Sequence, residues 1–497
     1  MAPGKKYKIL FVTSELFPFV KTGGLADVSS SLPQELTELG HEVRIVVPRY
    51  GAIDTRKYKI HDVVRLKDFK ISLGARSVNF SVKSSFLPVT KNRVQVYFLD
   101  NEEYFGNRKS LYVDVQKSYW YMDNHERFTL FSRGVLELVK KLGWAPDIIH
   151  ANDWQTALVP ALIKTVYKED EFFSRVKSVL TVHNFLYGGE FITYAFEITG
   201  MPDEYRSEKY TIHNGKMNFL KAGVIFADHV TTVSPGYRDE VLADPSLTGG
   251  LDGALRAKGD AFTGVINGID RSVWNPATDK LIVKNYDIRS LDSKYANKKN
   301  LIERFGLTYD NSIPVFSVIS RLYNYKGIDL FAKALPDLLK LNIQIVLLGT
   351  GDTEYHALFE ETARKHSAKF ACYLGFNDEL AHLIEAGSDF YLMPSKTEPC
   401  GLNQMYSLLY GTVPIVRKTG GLKDTVIGID KSNPNPTGLV FEEYTPAALV
   451  GQVKIAIEIF NRKDAMTALI KNGMRSDFSW QLSAKKYADL YRRVSAG

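Results

Sequence analysis

Lys21-Thr-Gly-Gly-Leu25 and Lys418-Thr-Gly-Gly-Leu422 are the same five residues written twice, each between a run that reads as a strand and a run that reads as a helix. Glycines let backbone N–H groups approach an anion closely, and a following helix turns its positive dipole end to the same spot. Two nucleotide-fold halves with matching glycine turns is the first reading. A strand-to-helix turn that needs positive φ is the alternative for either copy alone.

Working outward from the first copy, residues 9–13 form a short apolar run and 21–27 a turn; Leu32, Leu36 and Leu39 then fall at helical spacing until Gly40. Residues 43–47 are the next buried strand, which completes a βαβ unit whose first turn is where such sheets bind ligands. Further strand-like runs at 147–150, 178–183, 229–233 and 262–266 lead into Asp153, Asn184, Ser234 and Asn267. Side chains at the carboxyl ends of parallel strands line the ligand crevice. Residues 72–100 alternate instead (Val78, Phe80, Val82; Val94, Val96, Phe98), which predicts hairpin strands.

The second half repeats the alternation after a polar connector, 275–299, of little periodicity. Strands are expected at 315–319, 344–348, 370–374, 390–393 and 413–416, continuous apolar runs of the kind found where both sheet faces are covered. Trp480, Ala484, Tyr487 and Tyr491 share one helical face, so the tail should dock on a domain. The expected fold class is α/β, two Rossmann-like doubly wound domains facing a central cleft. The domains span 1–270 and 271–479, and the helix from about 480 to 497 docks on one of them.

Composition fits this frame. With 24% charged and 45% hydrophobic residues the chain has the balance of a soluble globular protein. A net charge of +7, from 63 basic and 56 acidic residues without long runs, suits an anionic small substrate better than nucleic acid. No apolar stretch nears the roughly 20 residues of a membrane span. The Lys5-Lys6-Tyr7-Lys8 start followed by Ile9 to Val12 is broken by Glu15 and Pro18 too early for a signal peptide, and no plastid leader is read. Cys372 and Cys400 lack metal-ligand spacing, so a reducing cytoplasm and no bound metal are expected.

Along its whole length the chain resembles the ADP-glucose-dependent glycogen and starch synthases of the GT-B glycosyltransferase fold. The likeness rests on Lys21 to Val28, Asp147-Ile-Ile-His-Ala-Asn-Asp-Trp154, Thr181-Val-His-Asn184, Val265-Ile-Asn-Gly-Ile-Asp270 with Trp274-Asn-Pro276, Ser320-Arg-Leu322 with Lys326-Gly327, and Glu398-Pro-Cys-Gly-Leu-Asn-Gln404. The resemblance implies that Arg321 and Lys326 bind the donor's diphosphate. A planar fork and a point charge can stabilise the leaving group without a metal. It implies that Glu398 contacts the glucose hydroxyls, with Cys400, Gly401, Leu402 and Asn403 at the following helix start meeting the distal phosphate. His183 would lie beside the sugar and orient the donor, with Asn184 and Asn267 among the donor contacts. Asp27 and Asp153 would touch the acceptor glucan or the donor sugar, and Lys21, with Gly23 and Gly24, would reach the phosphates on closure. Each has a plainer reading: a solvated basic face for the cations, a helix cap for Glu398 and a structural histidine for His183.

The reaction so implied is glucosyl transfer from ADP-glucose to the 4-hydroxyl end of an α-1,4-glucan with retention, without a covalent nucleophile. This chain departs from the usual pattern at Asn152 (histidine in bacterial relatives), Phe185 to Gly188, Tyr325 (glutamine), Phe376-Asn377 near the expected adenine pocket, and Tyr406, where many retaining transferases carry a second glutamate. These positions bear on donor base and acceptor contacts. The same architecture also serves nucleotide-sugar epimerases and sucrose- or trehalose-phosphate-forming enzymes. A glucan-binding protein with 12% aromatic residues would need neither the basic pair nor Glu398, and no pyridoxal-phosphate lysine of a phosphorylase is identified.

Overall fold

The computed structural model describes residues 5–88, 92–114, 119–430 and 433–496. The expected hairpin region loses residues 89–91 to this limit, and the tail loses residue 497. The chain divides into two compact units, one of Met1–Val233, Arg238–Val265 and Trp480–Gly497, the other of Ser234–Tyr237 and Ile266–Ser479.

The first unit is built on a ten-stranded sheet. Phe262–Gly264, His229–Thr232, Lys177–Val182, Ile148–Asn152, Lys8–Val12, Glu42–Pro48 and Gln95–Asp100 are successive parallel neighbours. Arg76–Phe86 adds antiparallel to Gln95–Asp100 and pairs on to Phe69–Leu73 through a turn at Gly74, whose φ is +60°. The alternating region thus forms the expected hairpin strands, and the last of them, buried along its middle, also extends the parallel sheet. The helix after the first glycine turn runs Gly24–Glu38, starting within the stretch read as a turn, and the chain reverses at Gly40 with φ +91°. The C-terminal helix Trp480–Ala496 lies against it. There His150 is held between the Tyr491 hydroxyl, 2.7 Å from Nδ1, and Thr181 Oγ1, 2.6 Å from Nε2. Since that histidine has no exposed surface, burial pushes its pKa down to about 3.

The second unit carries a six-stranded all-parallel sheet in the order Phe370–Leu374, Gln344–Gly351, Val315–Leu322, Phe390–Met393, Val413–Arg417, Leu439–Phe441. Counted along the chain this is 3-2-1-4-5-6, the doubly wound order of dinucleotide-binding sheets. Period-two alternation sorts the strand residues. Phe316, Ile345 and Leu347 join one core with Phe331 and Leu449, while Val315, Val346 and Leu348 join another with Leu301, Ile302 and Leu383. The last strand, Leu439–Phe441, was not foreseen, and the connector is more ordered than its polarity suggested. The helix Lys294–Arg304 begins inside it and buries Lys294, Asn297 and Lys298 along with Leu301 and Ile302. Among the described residues no helix is long and apolar enough to cross a membrane.

Candidate active site

Each sheet has one place where strand order reverses, and the loops leaving it at the carboxyl ends form the ligand crevice of an open α/β sheet. In the second unit that place lies between Val315–Leu322 and Phe390–Met393. Arg321 stands on the last turn of the first strand rather than beyond it, since the strand runs to Leu322. Lys326 follows on a short 3-10 turn that ends at Gly327. A side chain at Gly327 is excluded twice over, by its φ of +74° and by the Pro394 carbonyl 2.0 Å from where a Cβ would sit. That close approach brings Lys326 Nζ to 2.7 Å from Glu398 Oε2. Ser395 Oγ donates to the same carboxylate oxygen at 3.2 Å. Arg321 and Lys326 flank the Tyr325 ring, with Cζ 5.9 Å and Nζ 5.7 Å from its centroid. Among the described residues Arg321 is exposed and has no acidic partner.

The loop from Glu398 to the helix Asn403–Leu409 is set by backbone contacts. Asn403 Nδ2 donates to the Ile319 carbonyl at 3.1 Å and Ser234 Oγ to the Pro399 carbonyl at 2.6 Å. The second glycine pair fixes the loop from behind, because Gly421 N donates to the Glu398 carbonyl at 3.0 Å. A Cβ on Gly421 would lie 2.3 Å from the Cys400 carbonyl oxygen. The second copy of the repeat thus serves close backbone packing, whereas the half-buried backbone N–H groups of Gly401, Leu402 and Asn403 find no partner among the described residues. A helix of seven residues has little macrodipole, so these donors count singly. Cys400 is buried and meets the backbone N–H of Asn267. Its thiol is pushed up to about 12 by burial and stays neutral.

In the first unit the order reverses between Lys8–Val12 and Ile148–Asn152. Here the first glycine turn already holds an anion of its own. The buried Glu15 carboxylate accepts from Thr22 N at 2.6 Å, Thr22 Oγ1 at 2.5 Å, Gly23 N at 3.1 Å and the Tyr112 hydroxyl at 2.9 Å. Gly24 opens the helix behind it, and Lys21 pairs with Asp27 at 2.8 Å on the surface. The donors of Thr22 and Gly23 are therefore committed internally. Glu15 was noted in the sequence only as an interruption. The strand-end rule that singled out Asp153 would have found it, since Thr13-Ser14-Glu15 leave the first strand in the same way.

Asp153, at φ +58°, accepts the His183 backbone N–H at 2.7 Å. Burial pushes its carboxyl up to about 7 against the pull of the His183 and Asn184 backbone donors. Asn184 Oδ1 accepts from Leu186 N at 3.0 Å, an Asx turn that shapes the loop. The His183 ring is half-buried with Nε2 3.1 Å from Asn152 Oδ1, and burial lowers its pKa to about 4, so it is neutral at pH 7. Of the expected residues, the second unit gathers Arg321, Lys326, Glu398, Cys400, Gly401, Leu402, Asn403 and Asn267, and the first gathers Asp153, His183 and Asn184, with Lys21, Gly23, Gly24 and Asp27 around the other loop of its reversal point. Among the described residues no group of three or more His, Cys, Asp or Glu could hold a metal ion.

Doubly wound sheets with a basic pair and a carboxylate at the reversal point define a glycosyltransferase of the GT-B class. Residues 8–257 match the starch synthase catalytic domain family, and residues 301–474 match the glycosyl transferases group 1 family. A glycogen synthase of Geotalea daltonii is 43% identical over 494 residues, covering 98% of this chain and 99% of that one. One of Chlorobaculum tepidum is 40% identical over 490 residues, covering 99% of each. The catalytic domain of starch synthase IV from Arabidopsis thaliana, solved bound to ADP and acarbose, superposes with a TM-score of 0.89 at 29% identity, covering 99% of this chain and 100% of that one. The chain belongs to the glycogen synthase family and is a hexosyltransferase.

Proposed function

We propose that the protein transfers the glucosyl group of ADP-glucose to the 4-hydroxyl at the non-reducing end of an α-1,4-glucan, with retention at the anomeric carbon, and so extends glycogen. The observation that carries this reading is the Lys326–Glu398 pair at 2.7 Å, set beside Arg321 at the reversal point of the second sheet. In the transfer the bond from C1 to the diphosphate breaks, the bond from C1 to O4 forms on the same face, and the hydroxyl proton passes to the departing diphosphate. Arg321 and Lys326 stabilise the charge that gathers on that group, and the N–H groups of Gly401, Leu402 and Asn403 suit its distal phosphate. Glu398 uses Oε2 to hold the lysine and Ser395, which leaves Oε1 for glucose hydroxyls. The fixed cations supply the neutralisation a metal would otherwise give, so no cofactor is required.

The ADP in the Arabidopsis starch synthase supports an adenine nucleotide donor, and the glycogen synthases of Geotalea and Chlorobaculum support the glucan acceptor. Unpaired Cys372 and Cys400 support a reducing, cytoplasmic setting. The test is radiolabelled transfer to glycogen from ADP-glucose and UDP-glucose side by side. Label in ethanol-precipitable glucan, faster from ADP-glucose, is expected. No polymer label from either donor would overturn the reading, and faster UDP-glucose transfer would overturn the donor assignment alone.

A further inference from the structure

We propose that Asn152 is a positioning residue that fixes the His183 imidazole as its Nε2–H tautomer, so that Nδ1 faces outward as a lone-pair acceptor for a sugar hydroxyl. Asn152 is fully buried at the end of its strand and its amide cannot turn. Its Nδ2 donates to the Val12 carbonyl at 3.0 Å and the His150 carbonyl at 3.4 Å, and those oxygens can only accept. The backbone around it is pinned too, since Thr156 Oγ1 accepts from Asn152 N at 2.6 Å and donates to Asn152 O at 2.7 Å. The atom left facing His183 Nε2 is therefore Oδ1, an acceptor, and Nε2 must carry the proton. In a neutral ring that leaves Nδ1 without one.

Nδ1 has no hydrogen-bond partner among the described residues and the ring is only half-buried, so its lone pair is left for a ligand. The titratable groups around the ring do not compete for it. Asp153 spends its carboxylate on the His183 backbone N–H, His150 is bonded at both nitrogens, and Glu15 is held by the first glycine turn. A bare lone pair repels phosphate oxygens and accepts from O–H donors. His183 is in this way reserved for hydroxyls, while phosphate recognition falls to the basic pair of the second unit. The idea rests on the glucosyl-transfer reading for its ligand but not for its tautomer.

Long-range proton–nitrogen NMR on histidine-labelled protein, assigned with a His183→Gln variant, reads the tautomer without any ligand. The Nε2–H form is expected, and a protonated Nδ1 at neutral pH would overturn the proposal. Addition of ADP-glucose or of maltotriose should move the Nδ1 resonance while ADP alone does not, and the two sugars distinguish a donor from an acceptor hydroxyl. No response to either would overturn the hydroxyl assignment. Asn152→Asp places a carboxylate on Nε2 and removes the donor that served the Val12 and His150 carbonyls, so in a folded variant the acid limb of kcat/KM should move up by about one unit or more. An unmoved limb in a folded variant would count against Asn152. Wild-type turnover on the same sample separates failure of this proposal from failure of the reading it rests on.

Discussion

Gly421→Ala tests whether the second glycine pair exists to place the Glu398 loop. The new Cβ would fall 2.3 Å from Cys400 O, 2.5 Å from its Cα and 2.7 Å from its carbonyl carbon, all backbone atoms that no rotamer can move aside. Ordinary contact needs about 1 Å more, so the Cys400 peptide must shift by roughly that much, carrying Glu398 and the N–H groups of Gly401 to Asn403 with it. A misplacement of about 1 Å at a reacting centre costs about 10²-fold in rate, or roughly 2.7 kcal/mol of barrier. Overpacking should also lower stability by about 1–3 kcal/mol. Gly451→Ala in the helix Pro446–Phe460 is the control, because a Cβ there meets nothing within 4 Å. It should gain about 0.5–1 kcal/mol and leave kcat alone. Initial rates of label transfer to glucan, taken well below the midpoint of thermal unfolding, separate the effects. A Gly421→Ala enzyme that turns over like its parent would refute the reasoning.

Lys326→Ala and Arg321→Ala should each lower kcat/KM by about 10²–10³-fold, since charge on the leaving diphosphate goes unmet; near-normal kinetics would remove them from the site. Exhaustive EDTA treatment should leave transfer intact, and a strict magnesium requirement would count against neutralisation by side chains alone. Buried His150 gives a pH signature in stability. It is neutral when folded, with its pKa down at about 3, but titrates near 6.5 when unfolded. Its contribution is complete above the unfolded value and is lost as pH falls toward the folded one, about 2 kcal/mol by pH 5 at roughly 1.36 kcal/mol per unit. Urea denaturation at pH 7 and 5 should show that loss in the parent and less of it in His150→Gln.

Strands were legible because continuous apolar runs have few other uses. Phe370–Leu374 and Phe390–Met393 fall where the sequence reading put them; Val315–Leu322 and Gln344–Gly351 each run three residues further, into polar ends such as Arg321, whereas His229–Thr232 and Phe262–Gly264 stop one and two residues short. What escaped is burial of charge, which leaves no hydrophobic period. Lys294, Lys298, Leu301 and Ile302 trace one helical face, but its first turn is written in lysine. Lys294 Nζ reaches the Ala386 and Tyr410 carbonyls at 2.9 and 3.1 Å, and Lys298 pairs with Asp389 at 2.7 Å. Partners about 90 to 120 residues away cannot be seen from spacing. The site was half legible. Motifs named Arg321, Lys326, Glu398 and His183, but only coordinates reveal that Lys326 is already paired with Glu398, and that Glu15 fills the turn its glycines were expected to offer to phosphate.

The helix Trp480–Ala496 belongs to the first unit although it follows the second along the chain. During synthesis the first unit cannot finish folding until the second has been made, because Tyr491 must still arrive to bond His150. The other unit is in effect an insertion that can close while its host waits. Removal of this helix would then wound a unit far from it in sequence, and residues 1–265 produced alone would leave bare the surface that Tyr487 and Tyr491 should cover.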